Sequence, residues 1–133
     1  MRPGRPGRSA RKPAVPAGAG AQRQTARLLH DGAEHARAGR WDHAADAYHA
    51  AAVQAPDDTA AWLQLGVALT RLGRFEEAVQ ALLTALRHDM RCADAYAQLG
   101  NVFQLLKLPE EARESFRNAL AFGRAPVDMM AAG

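Results

Sequence analysis

Cysteine is almost absent from this chain. Cys92 is the single one among 133 residues, which excludes an intramolecular disulfide framework and any metal site built from several thiolates. Aromatics are scarce as well, at 6% of the residues against 48% hydrophobic overall. Alanine carries much of that apolar share, which suits a core of close-packed helices better than a sheet. No run of 18 apolar residues occurs, so nothing here is built to span a membrane. The N-terminus lacks the continuous apolar stretch of a secretory signal, since Ala14 to Ala21 is broken by Pro16, Gly18 and Gly20. Pro3, Pro6, Pro13 and Pro16 likewise interrupt the amphipathic helix that a mitochondrial presequence forms. A lone thiol without an export signal sets the expectation of a cytoplasmic protein.

Acidic residues are missing from the first 24 positions, which hold Arg2, Arg5, Arg8, Arg11, Lys12 and Arg23. Taking those six from 17 bases leaves 11 against 14 acids, so the overall +3 belongs to this arm and the remainder stands at about −3. With four prolines and almost no large apolar side chain, residues 1–24 bury too little surface to offset the entropy of ordering them. They are expected to form a disordered basic arm. Six cations can hold phosphate in a salt-dependent way that ignores base sequence.

What the chain does contain is a period. The stretch from Thr59 to Cys92 returns when shifted by 34 residues in either direction: Gly66 falls on Gly32 and Gly100, Ala78 on Ala44 and Ala112, and Ala85 on Ala51 and Ala119. Large sites keep step, with Trp62 on Leu28 and Tyr96, Leu69 on His35 and Phe103, and Leu82 on Tyr48 and Phe116. Three copies cover residues 25–58, 59–92 and 93–126, leaving 127–133 as a short C-terminal tail. Small residues at recurring sites let two antiparallel helices approach, while the large ones fill the space beside the contact. Asp42, Glu76-Glu77 and Glu110-Glu111 open each second helix with charge that complements its dipole. Pro109 suits a first helical position, and Asp58 or Thr59 is placed to cap the helix after the first linker.

Trp62-x-x-Leu65-Gly66-x-x-Leu69, followed by Gly73, Ala78, Leu82 and Ala85, resembles the tetratricopeptide repeat, a helix-turn-helix unit of 34 residues. The resemblance implies an all-α chain of three tandem helix-turn-helix units forming a short right-handed superhelix, with no enzymatic activity and no cofactor. Asp31 and His35 depart from the family pattern, which has a leucine and a large apolar residue there. Such arrays usually close with an extra polar-faced helix, and residues 127–133 are too short for one. The face of the third unit, with Phe116, Leu120 and Phe122, is therefore expected to stay open to self-association unless Met129 and Met130 fold over it.

Reactive chemistry is sparse. His30 and His35 are five apart and His43 and His49 six apart, so no pair has the i, i+4 spacing that puts two imidazoles on one helical face, and no metal site is expected. Cys92 has no histidine or carboxylate partner at recognisable spacing. Neither Gly-x-Ser-x-Gly nor Gly-x-x-x-x-Gly-Lys occurs, and no catalytic residue is assigned. Arg2-Pro3-Gly4-Arg5-Pro6 is similar to the minor-groove AT-hook, but that core reads Arg-Gly-Arg-Pro and Pro3 breaks the match. Nucleic acid is thus a minor alternative to a protein partner.

The resemblance implies instead a concave groove lined by the first helix of each unit. In this register its positions are Leu29, His30, Ala33 and Arg37, then Leu63, Gln64, Val67, Thr70 and Arg71, then Asp94, Ala97, Gln98, Asn101, Gln104 and Leu105. Family members that hold the acidic carboxyl end of heat-shock proteins use lysine, asparagine and arginine at sites that here read Leu29, Ala33, Asp94 and Gln98. That clamp is missing, and Asp94 would repel the ligand. His30, Gln64 and Gln98 share one register position, similar to the asparagine ladder of O-linked N-acetylglucosamine transferases, in which amides grip the backbone of a threaded peptide. Glutamines chosen for helix propensity explain the same row equally well. The expected function is a scaffold or adaptor module that binds a peptide or helix of another protein. A bacterial export-type chaperone and the substrate-targeting region of a larger glycosyltransferase-like enzyme are the alternatives.

Overall fold

The computed structural model describes residues 18–123. Six helices alternate with short turns there: α1 Ala19–Arg37, α2 Trp41–Gln54, α3 Thr59–Arg71, α4 Phe75–His88, α5 Ala93–Leu105 and α6 Pro109–Phe122. The described residues contain no strand, and the fold is an all-α helical repeat. The helices pair as α1–α2, α3–α4 and α5–α6, each pair lies on the next, and α3 also touches α5, so these two first helices form an inner row. Residues 1–17 of the basic arm, and the tail with Met129 and Met130, lie outside the described residues. No described helix is long and apolar enough to cross a membrane.

The sequence period becomes a repeated contact. A Cβ built on Gly32 would lie 2.5 Å from Tyr48, one on Gly66 2.6 Å from Leu82, and one on Gly100 2.5 Å from Phe116. In each unit the first helix offers only a hydrogen where the second presses in a large side chain, and Ala44, Ala78 and Ala112 lie buried alongside. Close approach of the backbones and a bulky filler together give the dense packing a small core requires. One cluster runs from Ala44 in the first unit to Val102 in the third, and Ala51, Ala52 and Ala61 close a second patch at the first junction.

Each first helix ends in the same closure. The backbone N–H of Arg40 donates to the His35 carbonyl at 2.8 Å, that of Arg74 to Leu69 at 2.9 Å, and that of Leu108 to Phe103 at 2.8 Å. The residue before each donor turns left-handed: Gly39 at φ 79°, Gly73 at φ 78° and Lys107 at φ 66°. Glycine does so without steric cost, whereas the lysine Cβ meets the backbone. At the far side of the second and third units, Trp62 Nε1 donates to the Pro56 carbonyl at 2.7 Å and Tyr96 Oη to the Met90 carbonyl at 3.0 Å, strapping α3 and α5 to the linkers before them. Asp58 accepts the Ala61 N–H at 3.2 Å and caps α3, while its register equivalent Cys92 makes no such bond. Asp58→Ala is expected to cost about 1 kcal/mol, measured as a lower urea midpoint at unchanged slope.

Two expectations are corrected. The first helix begins at Ala19 and not at Thr25. Buried Thr25 donates from Oγ1 to the Ala21 carbonyl at 2.9 Å, and Gln54 Nε2 donates to Gln24 Oε1 at 3.2 Å, so residues 19–24 are held by the first unit and do not belong to the arm. Phe122 remains 38% exposed, but it does not line the open face with Phe116 and Leu120. Its ring stacks on Tyr96 at 5.6 Å and the Arg91 guanidinium lies over it at 5.2 Å, interactions that favour this site over solvent. The departures at Asp31 and His35 are also accommodated. Asp31 is exposed because no described helix precedes α1 to cover the site that Leu65 and Leu99 fill. His35 stacks on His43 at 5.2 Å and its Nδ1 accepts the Arg40 Nε–H at 3.1 Å, a polar stack in place of an apolar contact.

Candidate functional site

The inner row brings α3 and α5 side by side, and their exposed edges meet. Val67, Thr70 and Arg71 of α3 converge with Gln98, Asn101 and Leu105 of α5 on one depression of about 550 Å³, joined by Gly73 and Phe75. Val67 and Leu105 supply apolar surface, and the two amides can each donate and accept. The Thr70 hydroxyl already donates to the Gly66 carbonyl at 2.8 Å, which leaves it as an acceptor towards the depression. Arg71 rests with its guanidinium 5.1 Å over the Trp41 ring, a cation–π contact that steadies the group without consuming its N–H donors.

The other groove residues are distributed elsewhere. Leu29 lines a separate depression of about 500 Å³ with Thr25, Gln54, Asp57 and Asp58, between α1 and the first linker. Leu29 and Leu63 are half-buried and pack on the core. Gln104 turns to a third depression, at the outer side of α6. His30, Ala33, Arg37, Leu63, Gln64, Asp94 and Ala97 line none of the three. Arg37 is engaged with Glu34 at 2.6 Å, and His30 Nε2 lies 3.6 Å from the same carboxylate. The Arg37 hydrogen bond, then its charge, holds Glu34 below the usual carboxylate range. Of the amide row, Gln98 alone reaches the depression between α3 and α5. Gly73 and Phe75 escaped the sequence reading because it took only first helices; their signal was adjacency to Arg71 across the turn. Among the described residues no group of three His, Cys, Asp or Glu side chains could hold a metal ion.

A family model described as tetratricopeptide repeat matches residues 31–91 and 71–128. No curated protein matches the chain. Among solved structures, the chain is similar to the second TPR of Spaghetti (RPAP3) bound to the HSP90 peptide SRMEEVD, at 19% identity and a TM-score of 0.77 over 82% of this chain and 100% of that one. It is similar to the TPR2B domain of yeast Sti1 in complex with pHsp70, at 24% identity and 0.75 over 80% and 84%. A third likeness is to PcrH in complex with the chaperone binding region of PopD, at 23% identity and 0.73 over 76% of each. At such identities the likeness is one of fold.

Proposed function

This chain belongs to the tetratricopeptide repeat family, and from that premise we propose that it is a non-catalytic, cytoplasmic protein-interaction module that receives a peptide or helix of another protein along its inner row of helices. The reading is supported most by the meeting of Val67, Thr70 and Arg71 with Gln98, Asn101 and Leu105 in one depression. An extended peptide brings backbone donors and acceptors that amides can satisfy, and side chains that Val67 and Leu105 can cover. The RPAP3 and Sti1 domains are solved with HSP90 and Hsp70 ligands. The clamp sites here read Leu29, Ala33, Asp94 and Gln98, so the ligand we propose is not an acidic carboxyl terminus. The likeness to PcrH with its PopD region supports a second reading, in which the occupant is a segment chaperoned for export.

The test uses peptides selected on the immobilised full chain from a random display library. Gln98→Ala with Asn101→Ala is expected to weaken them by about 1–3 kcal/mol, at about 0.5–1.5 per hydrogen bond, with an unchanged melt. Gln64→Ala is expected to do less, since Gln64 stands outside the depression. Undiminished binding to the double variant by calorimetry would refute the α3–α5 site.

A further inference from the structure

The two ends of the helix stack are chemically unlike. In α3 and α5, register positions three, seven and ten bury Ala61 and Ala95, Leu65 and Leu99, and Ala68 and Val102. In α1 the same positions carry Arg27, Asp31 and Glu34, all exposed, which makes the front polar, as a terminal face needs to be. The back of α6 is different. Phe116 and Leu120, both half-buried, occupy the positions of Leu82 and Leu86, which are 0% and 8% exposed in the second unit, where a further unit follows. Together with Leu108 and Ala112 they floor an open depression of about 980 Å³.

Its rim is cationic. Lys107, Arg113 and Arg117 stand where the second unit has Gly73, Val79 and Leu83, and no carboxylate lines the depression among the described residues. Arg113 shares its charge with Glu110 at 2.8 Å. Lys107 adds an independent observation, because it holds at φ 66° the left-handed backbone that its two equivalents satisfy with glycine. A strained residue that brings a charge to a rim points to function more than to stability.

We infer that this end takes an acidic amphipathic helix of another protein, lying across α6 as a further first helix would. At both internal junctions the covering element is a helix, α3 over α2 and α5 over α4. The apolar stripe of the incoming helix rests on Phe116 and Leu120, and its carboxylates face Lys107 and Arg117. A second copy fits less well. Back to back, it sets cations against cations; front to back, it offers Arg27, Asp31 and Glu34 in place of an apolar stripe.

The probe is a synthetic peptide of about 16 residues with leucine at i, i+3, i+4 and i+7 and glutamate along one flank, compared on the full chain with its lysine-for-glutamate counterpart. The acidic peptide is expected to bind about tenfold tighter, the sum of two or three exposed ion pairs, with the difference shrinking as salt rises. The arginines of residues 1–24 attract any acidic peptide, so variants fix the location. Arg117→Glu and Lys107→Gly should each weaken the acidic peptide several-fold, while Lys107→Gly raises Tm by about 4 °C through relief of the turn. Equal affinity for the two peptides, or indifference to both variants, would overturn the inference. A gain of about tenfold in the full chain carrying Met129→Asp and Met130→Asp would also overturn it, by assigning the face to residues 124–133. So would a dimer in light scattering that Leu120→Asp returns to monomer, which would assign it to a second copy.

Discussion

Gly66→Ala is expected to destabilise the chain by about 1–3 kcal/mol and Leu82→Ala by about 2–5 kcal/mol, yet Gly66→Ala should stabilise a chain that already carries Leu82→Ala. A methyl at Gly66 meets Leu82 Cγ at 2.6 Å and Cδ2 at 2.7 Å, with the Ala78 carbonyl 3.5 Å away. Leu82 is 0% exposed and has nowhere to swing, so the clash outweighs the helix propensity of about 1 kcal/mol that alanine gains over glycine. Truncating Leu82 opens a cavity beside that methyl. The clash then vanishes, part of the void is filled, and the propensity term decides the sign. Residues in contact commonly couple by about 0.5–3 kcal/mol, a large share of a total of about 5–15. Urea unfolding of the two single variants and the double variant measures the cycle. A methyl at Gly66 that stays destabilising beside Ala at 82 would show that the cost lies outside this contact.

Trp62→Ala is expected to cost about 3 kcal/mol, the low end for a buried ring because Trp62 is only half-buried, and to divide the unfolding transition as well. Trp62 touches both apolar clusters and its indole N–H is tied to Pro56 in the linker. It therefore carries much of the interface between the first and second units, and in a repeat array such interfaces are what make the units unfold together. Trp41, at the start of α2, then remains as the single tryptophan and reports on the first unit by fluorescence. In the variant its transition should fall at lower urea than the far-UV circular dichroism, whereas the two probes should coincide in the parent chain. Trp62→Phe keeps most of the packing and loses the donor, for about 1 kcal/mol and with the probes still together. Coincident probes in Trp62→Ala would show that the first unit is coupled to the rest by other residues.

The register was legible because sterics leave few choices. Glycine at 32, 66 and 100 and a large residue at 48, 82 and 116 are two halves of one contact, and a sequence shows both halves. The cap was legible to within one residue, Asp58 or Thr59, and the structure selects Asp58, whose carboxylate accepts the Ala61 N–H. The start of α1 was not. Prolines and the lack of large apolar side chains put residues 1–24 in one arm, but the helical residues 19–24 before Thr25 are sustained by a hydroxyl and by Gln54, which is 30 residues away from Gln24. Phe122 misled for the same reason, as its place is set by Tyr96 and Arg91 on other elements. In the candidate site, register gave Val67, Thr70, Arg71, Gln98, Asn101 and Leu105 as part of one set, and these six line one depression. It gave no warning that Gln104 turns outward to the end, because which neighbour a side chain reaches depends on the crossing of helices and not on its own position.

The unlike ends of the stack also set how many molecules can join. A fibre needs subunits that are each adhesive at two complementary ends. Arg27, Asp31 and Glu34 offer no apolar stripe at the front of α1, so copies of this chain do not stack end to end through their described helices. A partner seated on Phe116 and Leu120 leaves the depression between α3 and α5 free. The two sites together can hold two different partners on one chain without building a fibre of it.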